Sequence, residues 1–382
     1  MKLRLIPVVS AVLAAFTLSA CTPPMPPEFK ADLAEKYVTC IDGAITVSAP
    51  VEMTDVAQQW VDGYQEACPN SAPVLVDSAT PADVRLALSG ITFDCPVTIS
   101  APIALDGVAV AISNQDLAGL VLSPSVLYNM ITGSITSLGD PAIQELNPDL
   151  ELTDAPFTVS TGVHQQDLDS LNAWMNRLDP TGWPSAPANL VPTPILDDAA
   201  LQTAFESDGT VAIVPLSYAM AYSFPTANIQ TDTDVANSDL DSLLSASTQL
   251  MSQVNDSVVT AQLDATVAAQ PAAGTDTVIP PYQAITYYAL SGCGGATEQA
   301  QRAFIRFALR LDSQGALDTA GFMSLPEALR IDATTAVSKG LPEPSAQPTD
   351  AVIPSEAPAT DQPTSVPTDI ATDAATPMPS AT

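Results

Sequence analysis

The chain has 382 residues, 46% of them hydrophobic and 14% charged, enough apolar material for two ordinary domains. Acidic residues number 43 against 11 basic ones and a single histidine, for a formal charge of -32. That balance excludes direct nucleic-acid binding, because nothing here neutralises a run of phosphates, and it excludes electrostatic adhesion to an anionic bilayer.

Any membrane attachment must therefore be covalent or a spanning helix, and the first residues supply it. Lys2 and Arg4 make a short basic start, and residues 5–18 are largely apolar, too short a run to cross a bilayer. Leu18-Ser19-Ala20-Cys21 resembles a bacterial lipobox. The reading is a signal peptide over 1–20, lipidation at Cys21, and a chain tethered outside the cytoplasm. Pro23, Pro24, Pro26 and Pro27 then form an extended spacer within 21–39.

From residue 44 the pattern alternates. Residues 44–48 read as a strand, 54–67 as a helix with Val56, Trp60 and Tyr64 at spacing four, and 73–76 as a short strand. Residues 83–89 read as helical and 96–100 as the next strand, and the apolar run 108–112 suits a buried strand. Further on, 157–160, 211–214 and 284–290 read as strands. Residues 297–311 read as a helix with Ala300, Ala303, Phe304, Phe307, Ala308 and Leu311 on one face. Arg302, Arg306 and Arg310 form a row opposite that face, expected to be solvated. Strands alternating with helices predict an α/β fold with mainly parallel sheets. The tail 341–382 holds nine prolines, six acids, no aromatic residue and no Lys or Arg, the composition of a disordered segment. Without the signal and the tail, 37 acids still face 9 bases.

Four cysteines remain after Cys21: Cys40, Cys68, Cys95 and Cys293. An even number in an oxidising compartment predicts disulfides, with three connectivities open. No C-x-x-C occurs, so a zinc or thioredoxin-like site is not expected, and no metal or cofactor is assigned. Gly292-Cys-Gly-Gly295 lacks the rest of a phosphate-cradling motif and reads as a connection. Asp232, Asp234, Asp239 and Asp241 lack the glycine and terminal glutamate of a calcium loop.

Residues 122–148, Leu-Ser-Pro-Ser-Val-Leu-Tyr-Asn-Met-Ile-Thr-Gly-Ser-Ile-Thr-Ser-Leu-Gly-Asp-Pro-Ala-Ile-Gln-Glu-Leu-Asn-Pro, carry a resemblance. They look like the "G-x-I-x-x-W-x-D-P-A-I…L-N-P" segment of the phosphate-binding proteins, the solute receptors of phosphate ABC transporters, with Leu138 in place of the tryptophan. Residues 45–54, 97–102, 211–218 and 304–329 resemble other segments of that family in the same order, so the likeness spans about residues 42–331. It implies a two-lobed type II periplasmic-binding-protein architecture with two crossover strands, near 107–112 and 278–290. Lobe one would comprise 40–107 and 283–335, and lobe two 108–282. It also implies the pairing Cys40–Cys68 and Cys95–Cys293, through the return strand lying beside the strand that follows Cys95.

The family grips its anion with three loops, and each departs here. The first has Ala49, Pro50, Val51 and Glu52, which removes an N–H donor and a hydroxyl and adds a negative charge. The second, Ile99-Ser100-Ala101-Pro102, lacks the carboxylate that reads the proton of hydrogen phosphate. The third, residues 158–167, lacks an arginine. Candidate ligand contacts are Ser48, Ser100, Ser160, Thr161, Gly162 and His164. A Ser160–His164–Asp167 catalytic triad is not expected, since three groups so close in one loop do not converge with an oxyanion hole. The function implied is a non-enzymatic, extracytoplasmic solute-binding lipoprotein with a degenerate anion site. Its partners would be a small solute such as phosphate or another oxyanion, an ABC permease and, through the lipid, the membrane. The alternative is a cell-envelope lipoprotein that reuses the fold for protein contacts or sensing, with the loop 183–194 filling the cleft.

Overall fold

The computed structural model describes residues 35–162, 164–184, 196–207, 209–271 and 276–342. Cys21, the prolines after it, the tail from 343 and the segment 185–195 lie outside the described residues.

The chain begins with a β-α-β unit. Strand β1 (Gly43–Ser48) leads through a 3-10 turn (Val51–Met53) into α1 (Thr54–Ala67), and β2 (Ser71–Val76) returns parallel to β1. The spacing-four row of α1 buries Val56, Trp60 and Tyr64, and the Trp60 indole N–H donates to the Ser313 carbonyl at 2.8 Å. Strand β3 (Val84–Leu88) pairs parallel with β1, where the sequence reading expected a helix over 83–89. The reason is a period of two: Val84, Leu86 and Leu88 are buried, and Arg85 and Ala87 between them are not.

Strand β4 (Ile99–Ile112) is buried along all 14 residues and organises the molecule. After it come β5 (Val121–Leu122), α2 (Pro124–Ile131), α3 (Pro141–Leu146), β6 (Thr158–Thr161), α4 (Gln165–Leu178), α5 (Asp198–Phe205), β7 (Thr210–Pro215) and α6 (Leu216–Ala221). Then follow β8 (Asn228–Gln230), β9 (Val235–Ala236), α7 (Leu240–Ser247), β10 (Leu250–Asn255), β11 (Val258–Leu263), β12 (Ile285–Gly292), α8 (Glu298–Ala308), α9 (Leu311–Thr319) and α10 (Glu327–Val337).

Among the described residues, nine strands join one sheet, and β5, β8 and β9 form a second. The first half of β4, up to Gly107, pairs antiparallel with β12, which also pairs β3. The second half, Val108 to Ile112, pairs antiparallel with β7, and β7 pairs parallel with β6. One strand therefore serves two sheet regions, and the chain returns beside it: Val108 N–H donates to the Ala284 carbonyl at 2.9 Å, and Ile285 lies opposite Gly107. These are the two crossover strands that the resemblance implied. Two cores flank them. Ala212 and Val214 of β7 belong to the core of β1, α1 and α8, while Val211 and Ile213 belong to that of α2 and α4.

The signature segment has a clear local logic. The Ser123 hydroxyl caps α2 by accepting from Val126 N–H, the Asp140 carboxylate caps α3 by accepting from Ala142 N–H, and a proline opens each helix. The Asn147 amide clamps Val121 by both its N–H and its carbonyl, and Leu138 is buried where the family carries tryptophan.

Three expectations need correction. The hairpin β10–β11, which lies within the residues that the resemblance implied for lobe two, pairs with β4 at Ser100 in the sheet of β1, β2 and β3. The helix expected over 297–311 ends at Ala308, because Arg310 is extended; Leu311 starts α9 and is 58% exposed instead of core. The arginine row is not solvated. Arg302 is 8% and Arg306 5% exposed, and Arg302 meets the burial requirement by donating to Glu298 Oε1 and to Ser257 Oγ in the β10–β11 turn. Both disulfides form as implied, Cys40–Cys68 with Cα atoms 5.3 Å apart and Cys95–Cys293 with 6.0 Å. Among the described residues no helix is long and apolar enough to cross a membrane.

Candidate functional site

Residues that follow β1, β3, β6 and β7 line two adjoining cavities, which share Glu52 and His164. The larger, about 650 Å³, is lined by Glu52, Asp197, Asp198, Tyr218, Tyr222 and Phe322, among others. The smaller, about 190 Å³, is lined by Ser48, Pro50, Arg85, Ile91 and Phe93.

Of the candidate contacts, Ser48, Gly162 and His164 line these cavities. His164 stands at the N-cap of α4, with its own N–H donating to Asp167 Oδ2 at 3.1 Å. Gly162 lines the larger cavity, but its N–H donates to the Ile213 carbonyl at 2.9 Å and so is already used. An added Cβ there would meet Leu201 Cδ1 at 2.1 Å, so any other residue requires Leu201 to shift. Ser160 and Thr161 are buried within β6. The Ser160 hydroxyl has no hydrogen-bond partner, and the Thr161 hydroxyl donates to the Ile213 carbonyl. Ser100 is not brought to the cleft. The segment 99–102 expected as a turn is inside β4, and Ser100 Oγ pairs with Ser291 Oγ at 2.8 Å.

Beneath the cavities lies a carboxyl cluster. Asp106 sits on β4 behind Ser217, whose hydroxyl donates to Oδ2 at 2.6 Å and whose N–H donates to Oδ1 at 3.1 Å; Gly107 N–H adds a third bond at 2.7 Å. Burial nevertheless pushes its carboxyl up to about 7, against these three bonds and with a small push from Asp167. Asp167 is pushed up to about 6, again chiefly by burial, with its bond from His164 N–H opposing. The Tyr288 hydroxyl donates to Glu52 Oε1 at 2.9 Å; burial, then the charges of Glu52, Asp106 and Asp167, raise the phenol well above its ordinary range. No lysine or arginine lines the larger cavity among the described residues.

No protein-family model matches the chain, and no curated protein matches it by sequence. Solved structures do match. A high-affinity periplasmic phosphate-binding protein (PfluDING) bound with phosphate aligns at a TM-score of 0.51 and 12% identity, over 76% of this chain and 92% of that one. The fold is that of the periplasmic phosphate-binding proteins. An ABC-type phosphate transport receptor from Vibrio cholerae aligns at 0.45 and 12% over 74% of this chain and 100% of its own. A phosphate-binding protein from Stenotrophomonas maltophilia aligns at 0.47 and 13%, over 76% and 93%.

In this phosphate-binding-protein fold, sequence reasoning missed Arg85 and Asp106. Arg85 is the one arginine lining either cavity among the described residues, with its guanidinium 5.7 Å from the Phe93 ring centre. Reading 83–89 as a strand would have found it, because alternation puts Arg85 on the face opposite Val84 and Leu86. Asp106 had a signal too: it is the only charge in the apolar run 99–112. Trp183 is fully buried and packs on Tyr128 at a ring separation of 5.7 Å. Most of the loop proposed to fill the cleft lies outside the described residues.

Proposed function

We propose that this chain is an extracytoplasmic solute-binding lipoprotein that holds a small molecule in its cleft and catalyses nothing. The observation that carries this reading is the 650 Å³ cavity at the ends of β6 and β7, of the size small-molecule sites have. The solved chains that share the fold are described as phosphate-binding or phosphate-transport receptors, not as enzymes. In this reading Cys21 carries the lipid, and an ABC permease receives the solute. The lobes are 40–107 with 283–335 and 108–282, with the β10–β11 hairpin attached to the first; they close about the meeting of Gly107 and Ile285.

The reading includes a degenerate anion site. Pro50 offers no N–H, the Gly162 N–H is spent within the backbone, and Glu52 projects between the two cavities. Among the described residues Arg85 is the one arginine or lysine that lines the two cavities, against Glu52, Asp197 and Asp198, so a doubly charged oxyanion meets net repulsion. Calorimetric titration of the full chain with phosphate, sulfate and arsenate tests this. The expected result is no saturable binding below millimolar concentration. Micromolar phosphate binding would show the anion site intact.

A further inference from the structure

We propose that the ligand of this cleft is an organic cation, an amine or quaternary ammonium compound, held between aromatic walls and carboxylates in the larger cavity. The proposal rests on the solute-binding reading above and names the ligand class of that site.

The walls carry the argument first. Two aromatic pairs, from separate parts of the chain, border the same cavity: Tyr218 of α6 and Tyr222 at its C-terminal cap, with ring centres 4.7 Å apart, and Tyr288 with Phe322, 5.5 Å apart and near perpendicular. Tyr222 is 45% exposed although it packs on Tyr218 and Phe224 and its hydroxyl accepts from the Gln202 amide, so part of a large ring stays open at the cavity. Aromatic faces present negative charge, and they attract a desolvated ammonium group.

Charge is the second, independent argument. Glu52 reaches the cavity from the turn after β1, and Asp197 and Asp198 reach it from the start of α5. Glu52 accepts a hydrogen bond from Tyr288, which couples the carboxylate to the aromatic wall. No lysine or arginine among the described lining residues neutralises these three acids, and the chain as a whole carries -32. A cation is drawn in by that field, whereas an oxyanion is repelled. The polar groups beneath the cavity favour the same sign. Asp106 and Asp167 are both buried, and among the described residues only Asp167 has a basic neighbour, His164, so a cation above them lowers the energy of their charged forms. The volume of 650 Å³ admits a molecule larger than a single inorganic ion.

The test titrates the full chain by calorimetry with choline, putrescine and spermidine chlorides, against sodium chloride and against inorganic phosphate. At least one of the three organic cations should bind with one-to-one stoichiometry. Glu52→Gln and Tyr222→Leu should each weaken it about tenfold or more, the leucine keeping apolar bulk while removing the ring face. Asp256→Asn, at an exposed carboxylate paired with Lys339, should leave the affinity within about twofold. Circular dichroism checks that each variant keeps the fold. If none of the three cations binds, the proposal is overturned. If phosphate binds instead, and Arg85→Ala abolishes it, the cleft is a solute site but its ligand is an anion, so this inference fails alone. If a cation binds and neither cleft variant changes its affinity, the inference and the cleft reading both fail.

Discussion

Replacing Asp106 by asparagine should stabilise the protein at alkaline pH and change it little at acid pH. In the folded chain the carboxyl titrates near 7, against 3.8 for an ordinary aspartate. Its charged form is thus disfavoured by folding. The stability it permits is fully present below 3.8 and is lost as pH rises toward 7, where the unfolded chain ionises and the folded chain resists. A shift of that size corresponds to roughly 4 kcal/mol once both forms are ionised, of which about 1–2 kcal/mol is already lost at pH 5. Asparagine removes the ionisation while keeping a carbonyl oxygen for the Ser217 and Gly107 N–H groups, and the Ser217 hydroxyl can rotate to accept from the new amide. The stability difference between variant and parent should therefore grow by roughly 3 kcal/mol from pH 5 to pH 8 in favour of the variant. Urea denaturation of both chains at the two pH values measures it, and any constant effect of the substitution cancels in the comparison. A difference that stays flat, or moves the other way, would mean that three hydrogen bonds outweigh burial and that Asp106 is an ordinary buried carboxylate.

Three further substitutions probe the frame. Replacing Cys95 and Cys293 with alanine opens a loop of 198 residues and should cost about 5 kcal/mol on the chain-entropy account, against about 4 kcal/mol for the 28-residue Cys40–Cys68 loop; chemical denaturation ranks them, and non-reduced peptide mapping should find only these two linked pairs. Arg330 is buried, binds Glu327 through two parallel bonds of 2.9 Å and also pairs with Glu35, so Arg330→Lys should lose roughly 1–3 kcal/mol of stability because an ammonium cannot span both carboxylates. Gly162→Ala should destabilise by about 1–3 kcal/mol through its clash with Leu201, and adding Leu201→Ala should remove the Gly162-specific part, readable in a double-mutant cycle by thermal melting.

Much of the fold could be read from local pattern because local pattern determines it. The spacing-four row of Val56, Trp60 and Tyr64 predicts α1 to the residue, and Val108 to Ile112 announces its burial by being wholly apolar. Residues 83–89 misled because the period of two in Val84, Leu86 and Leu88 is only five residues long, and the strand is secured by pairing with β1 and β12, which lie far away in sequence. The arginine row misled for a related reason. Arg302 is opposite the apolar face of its helix, yet the turn at Ser257 and the end of α10 cover that side, and no feature near residue 302 signals their approach. At the site, Ser48, Gly162 and His164 were singled out through the resemblance, and they line the cavities because each ends or follows a strand. Ser100 was misplaced because the resemblance put a turn at residues 99–102, whereas β4 runs straight through them to Ile112, paired with β12. The Tyr218, Tyr222, Tyr288 and Phe322 walls were not legible at all, since they bring together α6, β12 and the segment after α9, which are far apart in sequence.

The central question for this molecule is whether its cleft is a solute site whose chemistry does not suit phosphate. A crystal structure of the full chain grown with spermidine and inorganic phosphate both present tests that directly. The expected result is an elongated amine in the larger cavity, its nitrogens against Glu52 and the faces of Tyr218 and Tyr222, with no tetrahedral anion beside Arg85. A phosphate held by Ser48, Arg85 and His164, with the larger cavity free of amine, would contradict it.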